Sequence, residues 1–167
     1  MSDLLLPLQL VFGFAVVLAP GLVVARAVGV TRVSAAVAWA LLLLFGAMTV
    51  TFVVSASLSL TLVLLLASGL VALPFAIRRG TRVHGVRGWG LSLLFGVGLG
   101  ILLWRVAGEI GGDGFFHLAR VQKLLAFDDL TLDSANEFPD GGLHPGYAFP
   151  LWHGFLALVA KVSGADP

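Results

Sequence analysis

VSAAVAWALLLLFGAMTVTFV, residues 33–53, is followed after only four residues by LSLTLVLLLASGLVALPFAI, residues 58–77, and neither run holds a charged side chain. A hydrocarbon core of about 30 Å is crossed by roughly twenty helical residues at about 1.5 Å each. Each run therefore reads as a bilayer span, and the short link through Ser55-Ala56-Ser57 makes the pair a tight hairpin with no domain between them. Outward from this hairpin, apolar runs of spanning or near-spanning length recur at Leu4–Val24, Trp89–Val106 and Tyr147–Val162. The expected fold is all-α: a polytopic transmembrane helix bundle of about five spans. Residues 1–107 form its four-span region, 108–148 an extracytoplasmic loop, and 149–167 a short fifth span.

The whole composition agrees. Of 167 residues, 59% are hydrophobic and 11% charged, with a mean hydropathy of +1.03, so lipid is the solvent for most of the chain. Ten basic and nine acidic residues nearly cancel, which gives no reason to expect nucleic acid as a partner. The absence of Cys removes disulfides, thiolate metal sites and Cys nucleophiles. Met1-Ser2-Asp3 lacks the basic start of a secretory signal, so the first run is expected to remain as a helix, broken or kinked near Pro20. Gly96, Gly98 and Gly100 are expected to admit another backbone against the fourth span.

Lys and Arg in short loops stay on the cytoplasmic side. Arg26 and Arg32 in the first connection, and Arg78, Arg79, Arg82 and Arg87 in the third, place loops 26–32 and 78–88 inside. Alternation then places the N-terminus and residues 108–148 outside. Eight of the nine acidic residues follow Gly108, and a polar loop of about forty residues exceeds what a connection needs.

Within that loop Phe115, Leu118, Val121 and Leu125 recur at helical spacing, with His117, Arg120 and Lys123 largely on another side. Residues 114–127 thus read as an amphipathic, extracytoplasmic interfacial helix. Its basic face suits a lipid phosphate, although Arg120 and Lys123 snorkelling to water would explain it equally well. Asp113, between glycines just before this helix, reads first as an N-cap. It is also placed to act as a general base on an acceptor hydroxyl or to bind a divalent cation. Glu109, four residues after Arg105, reads as its ion-pair partner, and Asp128-Asp129 as a solvated pair, with a cation site as the alternative. Further on, residues 140–153 combine Gly141-Gly142, Pro145, Pro150, Tyr147, Phe149 and Trp152 with His144 and His153. The aromatics suit a membrane interface and the imidazoles suit phosphate or a proton near neutral pH. Nothing at metal-ligand spacing joins the histidines, so no metal site is assigned.

Gly112-Asp113-Gly114-Phe115-Phe116-His117, followed about thirty residues later by His144-Pro145-Gly146-Tyr147 entering the next span, resembles the C-type membrane glycosyltransferases that use polyprenyl-phosphate-linked sugars. The resemblance covers Trp104 to the end of the chain. It implies a cell-envelope transferase in which Asp113 is the catalytic carboxylate. His117, Arg120, Lys123, His144 and Tyr147 would then hold a lipid-linked sugar donor approached from the outer leaflet. Members of that family have more helices, so this chain is expected to be an N-terminal piece of a longer enzyme, completed by further membrane helices or subunits, the alternative being a small relative that does not complete an active site alone. Here a lone Asp stands where many members carry an acidic pair, Pro145-Gly146 replaces a double proline, and three spans precede the helix that is usually first. The alternative is a non-catalytic membrane scaffold or subunit whose outer loop docks a partner. A transporter is disfavoured because no acidic residue lies in the middle of a span.

Overall fold

A computed structural model describes residues 5–79, 86–107, 112–131 and 150–166, with side chains described from 90 to 102 in the fourth helix and throughout the fifth except at Asp113. The apolar runs fold as α1 (Leu5–Ala27), α2 (Val33–Val53), α3 (Leu58–Arg78) and α4 (Val86–Ala107), and the later segments as α5 (Asp113–Phe127) and α6 (Leu151–Ser163). All regular structure among the described residues is helical.

The first three helices are long and apolar enough to cross a membrane, yet no more than 28% of the most apolar stretch of any of them is buried. Leu8, Val11, Leu42, Val53, Leu70, Val71 and Ile77 are each more than 60% exposed. Water cannot be the solvent of so much contiguous apolar surface, and the chain is an integral membrane protein.

The three spans run up, down and up, with α1 packed on both α2 and α3. Their crossing is built from small residues. A Cβ on Gly21 would fall on the Ala40 Cα, with the Ala40 carbonyl oxygen 3.0 Å away, and a Cβ on Gly69 would lie 3.0 Å from the Pro20 Cα. Without a hydrophobic drive between helices in lipid, such close backbone approach is what holds them. Of the expected kink or break near Pro20, the break is absent: α1 runs from Leu5 to Ala27 with Pro20 inside it and buried, against the space that Gly69 leaves free. Between α2 and α3 the Thr61 hydroxyl donates to Thr51 Oγ1 at 2.8 Å, and Thr51 donates in turn to the Ala47 carbonyl at 3.0 Å. Both threonines are fully buried.

The expected close packing at Gly96, Gly98 and Gly100 is not found among the described residues. Nothing lies within 4 Å of a Cβ built on any of them, and the described side chains of α4, from Gly90 to Leu102, are exposed. The expected short fifth span is not confirmed among the described residues. α6 has 13 residues, about 20 Å at 1.5 Å per residue, which falls short of a hydrocarbon core of about 30 Å.

α6 is nevertheless the central packing element at its end of the bundle. It lies against α1 and α5 and touches α2 and α3. Phe155 meets the rings of Phe14 and Phe45 edge-on at 5.5 and 6.4 Å between centroids. Gly154 leaves room for the Met48 methyl and for Leu130, whereas Gly13 of α1 sits on the Val159 carbonyl. The core formed this way joins Val17, Leu44, Met48, Leu58, Val121, Leu124 and Leu158.

One carboxylate fastens α5 and α6 to the α2–α3 turn. α5 ends at Asp128, whose left-handed backbone (φ 48°) an Asp tolerates better than most residues. The Asp128 carbonyl accepts from the Leu58 N–H at 3.3 Å, and the Leu130 N–H donates to the Ala56 carbonyl at 3.0 Å. Its side chain accepts from the Ser59 hydroxyl at 2.7 Å and pairs with Lys161 of α6 at 2.8 Å. The expectation of a merely solvated acidic pair is thus corrected for Asp128, while Asp129 accepts from the Thr131 hydroxyl.

Burial pushes the Asp128 pKa up, but the hydrogen bonds from Lys161 and Ser59, with the Lys161 charge, outweigh it and hold the carboxyl below its ordinary value. A carboxylate whose folded pKa is depressed contributes stability that is fully present above its unfolded pKa, about 3.9, and lost as pH falls through the lower folded value. Asp128→Ala should therefore lower the thermal midpoint in detergent at pH 7, and the gap from wild type should narrow below about pH 4. Melting curves from pH 7 to 3 check this; a gap that does not change with pH would exclude the ion pair as its source.

Candidate functional site

The sequence-predicted residues fall into two groups. His117 and Arg120 are brought together with His153, whereas Lys123 lies farther along α5 in a separate depression of about 440 Å³ shared with Ser55, Ser57, Asp128 and Asp129. Asp113 is the first residue of α5, and its N-cap is Gly112 at φ 54°. This moves the helix start one residue earlier than expected and takes the capping position away from Asp113. The Asp113 side chain, His144, Tyr147, Glu109 and Arg105 lie outside the described side chains.

α5 presents only part of the faces its periodicity predicts: Val121 is buried, Leu118 and Leu125 are half-buried and His117 is exposed, as expected. Phe115, assigned to the apolar side, is 60% exposed, whereas Arg120, assigned to the polar side, is 1% exposed beside the fully buried Leu124 and the nearly buried Val121. The cause is the packing partner: α6 covers the Arg120–Val121–Leu124 side. Arg120 is buried and does not snorkel to water, the second of the two readings of this face, and its guanidinium lies 6.0 Å from the centroid of the Phe116 ring, within cation–π range.

Against this cation lies a histidine pair that spacing alone does not reveal. His117 Nδ1 and His153 Nε2 are 2.8 Å apart, and the two rings are stacked with centroids at 5.1 Å and planes 18° apart. At that distance one nitrogen donates and the other accepts, so the pair shares one proton between the rings. His117 is exposed and His153 is buried at 7%, so the pair leads from the surface inward. Burial first, then the Arg120 charge and then His117, hold the His153 pKa down at about 4. At neutral pH His153 is therefore an uncharged imidazole.

His117 also borders an apolar groove of about 480 Å³ between α1, α5 and α6, walled by Leu10, Phe14, Leu118, Val121 and Leu156. A basic cluster thus adjoins a slot with hydrocarbon walls. Among the described residues no group of three His, Cys, Asp or Glu side chains is arranged to hold a metal ion.

His153 was visible in the sequence as an imidazole near the interface, but its partner stands 36 residues earlier. Lys161, the partner of Asp128, carried no signal beyond its position in the last turn of α6. Comparison with protein-family models, curated proteins and solved structures finds no match to this chain.

Proposed function

We propose that the chain is the membrane region of a glycosyltransferase that takes a sugar from a polyprenyl-phosphate donor to an extracytoplasmic acceptor. The observation that carries this reading is the His117–His153 pair, which feels the charge of the buried Arg120 and of which His117 lines an apolar groove. An amphiphilic phosphate needs both parts: hydrocarbon walls for the prenyl chain and cationic donors for the phosphate oxygens.

On this reading the phosphate that leaves with the lipid is stabilised by Arg120, while Asp113, at the start of the same helix, takes the proton of the acceptor hydroxyl. α5 would then carry both functions, with the base at its first residue and the phosphate-binding cation two turns on. Sidedness follows from charge. The α1–α2 turn and the C-terminus of α3 share one end of the bundle, where Arg26 Nε donates to the Ala76 carbonyl at 3.3 Å and Arg79 packs over Gly29. That end is assigned to the cytoplasm and the Asp128 end to the outside.

A second reading, a non-catalytic subunit that docks a partner through its outer end, is favoured by the use of Asp128 and Lys161 as a structural fastening. Turnover of a polyprenyl phosphosugar by the full-length protein separates the two. Asp113→Asn should reduce turnover by at least about 10²-fold, the usual worth of a general base, with donor binding retained. Equal turnover by wild type and variant would remove Asp113 from the chemistry. Absence of both binding and turnover would leave the subunit reading.

A further inference from the structure

The end of the bundle away from His117 and Arg120 carries charge of one sign. No Asp or Glu occurs between Asp3 and Glu109. The carboxylates with described side chains lie at the other end, Asp128 and Asp129 beside the α2–α3 turn and Asp166 beside Leu6 and Leu10. The arginine end has Arg32, Arg78 and Arg79 exposed and Arg26 half-buried, with no carboxylate among the described residues there. Two of these arginines are fixed in place. Arg26 of α1 donates through Nε to the Ala76 carbonyl of α3 at 3.3 Å, a bond that does not use the donors on the two terminal nitrogens of the guanidinium. Arg79, at the end of α3, packs over Gly29 of the α1–α2 turn.

Beside these anchors opens an apolar groove of about 630 Å³, walled by Val24 and Val28 of α1, Leu43 of α2, and Leu64, Val71 and Phe75 of α3. Val28 and Phe75 mark its mouth: Val28 precedes Gly29, which lies under Arg79, and Phe75 precedes Ala76, the acceptor for Arg26. Ser68, the polar side chain in the lining, donates to the Leu64 carbonyl at 2.7 Å, so the walls present hydrocarbon. Length decides what fits. From Leu64 to Phe75 α3 rises about 16 Å at about 1.5 Å per residue, close to the ~15 Å that one leaflet contributes to a core of about 30 Å. At its deep end Leu43 is the middle residue of α2. A further spanning helix would need a face along the whole bilayer, whereas an acyl chain of one leaflet needs half.

We propose that this groove and the arginines at its mouth bind one anionic glycerophospholipid from the leaflet at this end of the bundle, with an acyl chain between α1 and α3 and the phosphate against Arg26 and Arg79. The site is separate from the sugar-donor reading and does not depend on it. Basic residues at the polar boundary of apolar helices attract acidic headgroups, and a guanidinium meets phosphate oxygens with paired donors. Arginines that served only to orient the chain would need neither the hold of Arg26 on α3 nor a hydrocarbon slot ending beside it.

The test is native mass spectrometry of the delipidated full-length protein in detergent with dioleoyl phosphatidylglycerol and, separately, dioleoyl phosphatidylcholine, which share acyl chains and differ in net charge. One phosphatidylglycerol should be retained with an affinity about 10- to 30-fold above that for phosphatidylcholine, the combined worth of two arginines. Arg26→Gln together with Arg79→Gln should remove most of that preference. If the double variant does not fold, Arg79→Gln alone, at an exposed position, should lower the preference by about fivefold. Ala67→Trp, which fills the groove, should weaken both lipids, whereas Leu70→Trp, outside the lining, should leave both within about twofold. Farnesyl phosphoglucose, a short-chain sugar donor, should bind all these variants as it binds wild type, so the two sites can fail separately. Equal affinity for the two lipids in wild type, or a preference that survives loss of the arginines, would overturn the inference. So would lipid binding indifferent to Ala67→Trp, or a dimer that this variant dissociates, which would give the groove to a second copy of the chain.

Discussion

Gly21→Val should lower the thermal midpoint of the protein in detergent by roughly 5–10 °C, while Gly96→Val leaves it within about 2 °C. The two glycines look alike in the sequence, each inside an apolar run of spanning length. They differ in what a Cβ would meet: at Gly21 the Cα, Cβ and carbonyl oxygen of Ala40, at Gly96 open space. Replacing glycine within a helix ordinarily favours the helix by a few tenths of a kcal/mol for valine, and by about 1 kcal/mol for alanine. Overpacking a filled site costs about 1–3 kcal/mol, and here the obstacle is backbone, so α1 and α2 must separate. The steric cost exceeds the propensity gain. Separation would also draw Pro20 away from Gly69, since the adjoining residues of α1 face α2 and α3 at the same level. Fluorescence-monitored melting of the two variants decides it. Equal midpoints for both would mean that the crossing is not held by close approach at Gly21.

What the sequence conveyed divides along a physical line. The hairpin of α2 and α3 was legible because spanning length and lack of charge are properties of one segment against one solvent. The helix at α5 was legible for the same reason, from its local periodicity. Its orientation was legible only in part, at Val121 and His117, because the side of α5 that is buried depends on α6, a segment more than twenty residues later. Apolar spacing put Phe115 inside and Arg120 outside, and the packing with α6 reversed both. The glycines were misassigned on similar grounds. Three small residues in α4 look like a contact surface, yet the close approaches occur at Gly13, Gly21, Gly69 and Gly154, one or two to a helix, where no local pattern marks them. Asp128 is the clearest case. Nothing near it in the sequence distinguishes it from Asp129, but its left-handed backbone turns the chain so that it reaches Ser59 and Lys161. Of the expected site, His117 and Arg120 do share a cluster, and His153 joins them through a contact that only folding creates.

Arg120→Met should weaken binding of farnesyl phosphoglucose by about 10- to 100-fold, and Arg120→Lys should restore only part of the loss. A hydrogen bond to a charged group contributes about 1.5–3 kcal/mol, and the guanidinium presents paired donors that an ammonium cannot match. The buried position strengthens the expectation, because at 1% exposure the charge is far less screened than a surface lysine would be. Lys123→Met provides the comparison. Lys123 lines the other depression, beside Asp128 and Asp129, and its loss should weaken binding by less than about threefold, in line with a partly solvated charge. Met occupies nearly the length of the Arg stem, so packing against Val121 and Leu124 is largely kept. Melting the variants in the absence of ligand then separates roles. If Arg120→Met melts well below wild type and binds the probe equally once folded, Arg120 serves only the packing of α5 on α6. If it loses affinity at a near-native midpoint, with Arg120→Lys between the two, the guanidinium acts on the phosphate, and the groove beside it is where the prenyl chain lies.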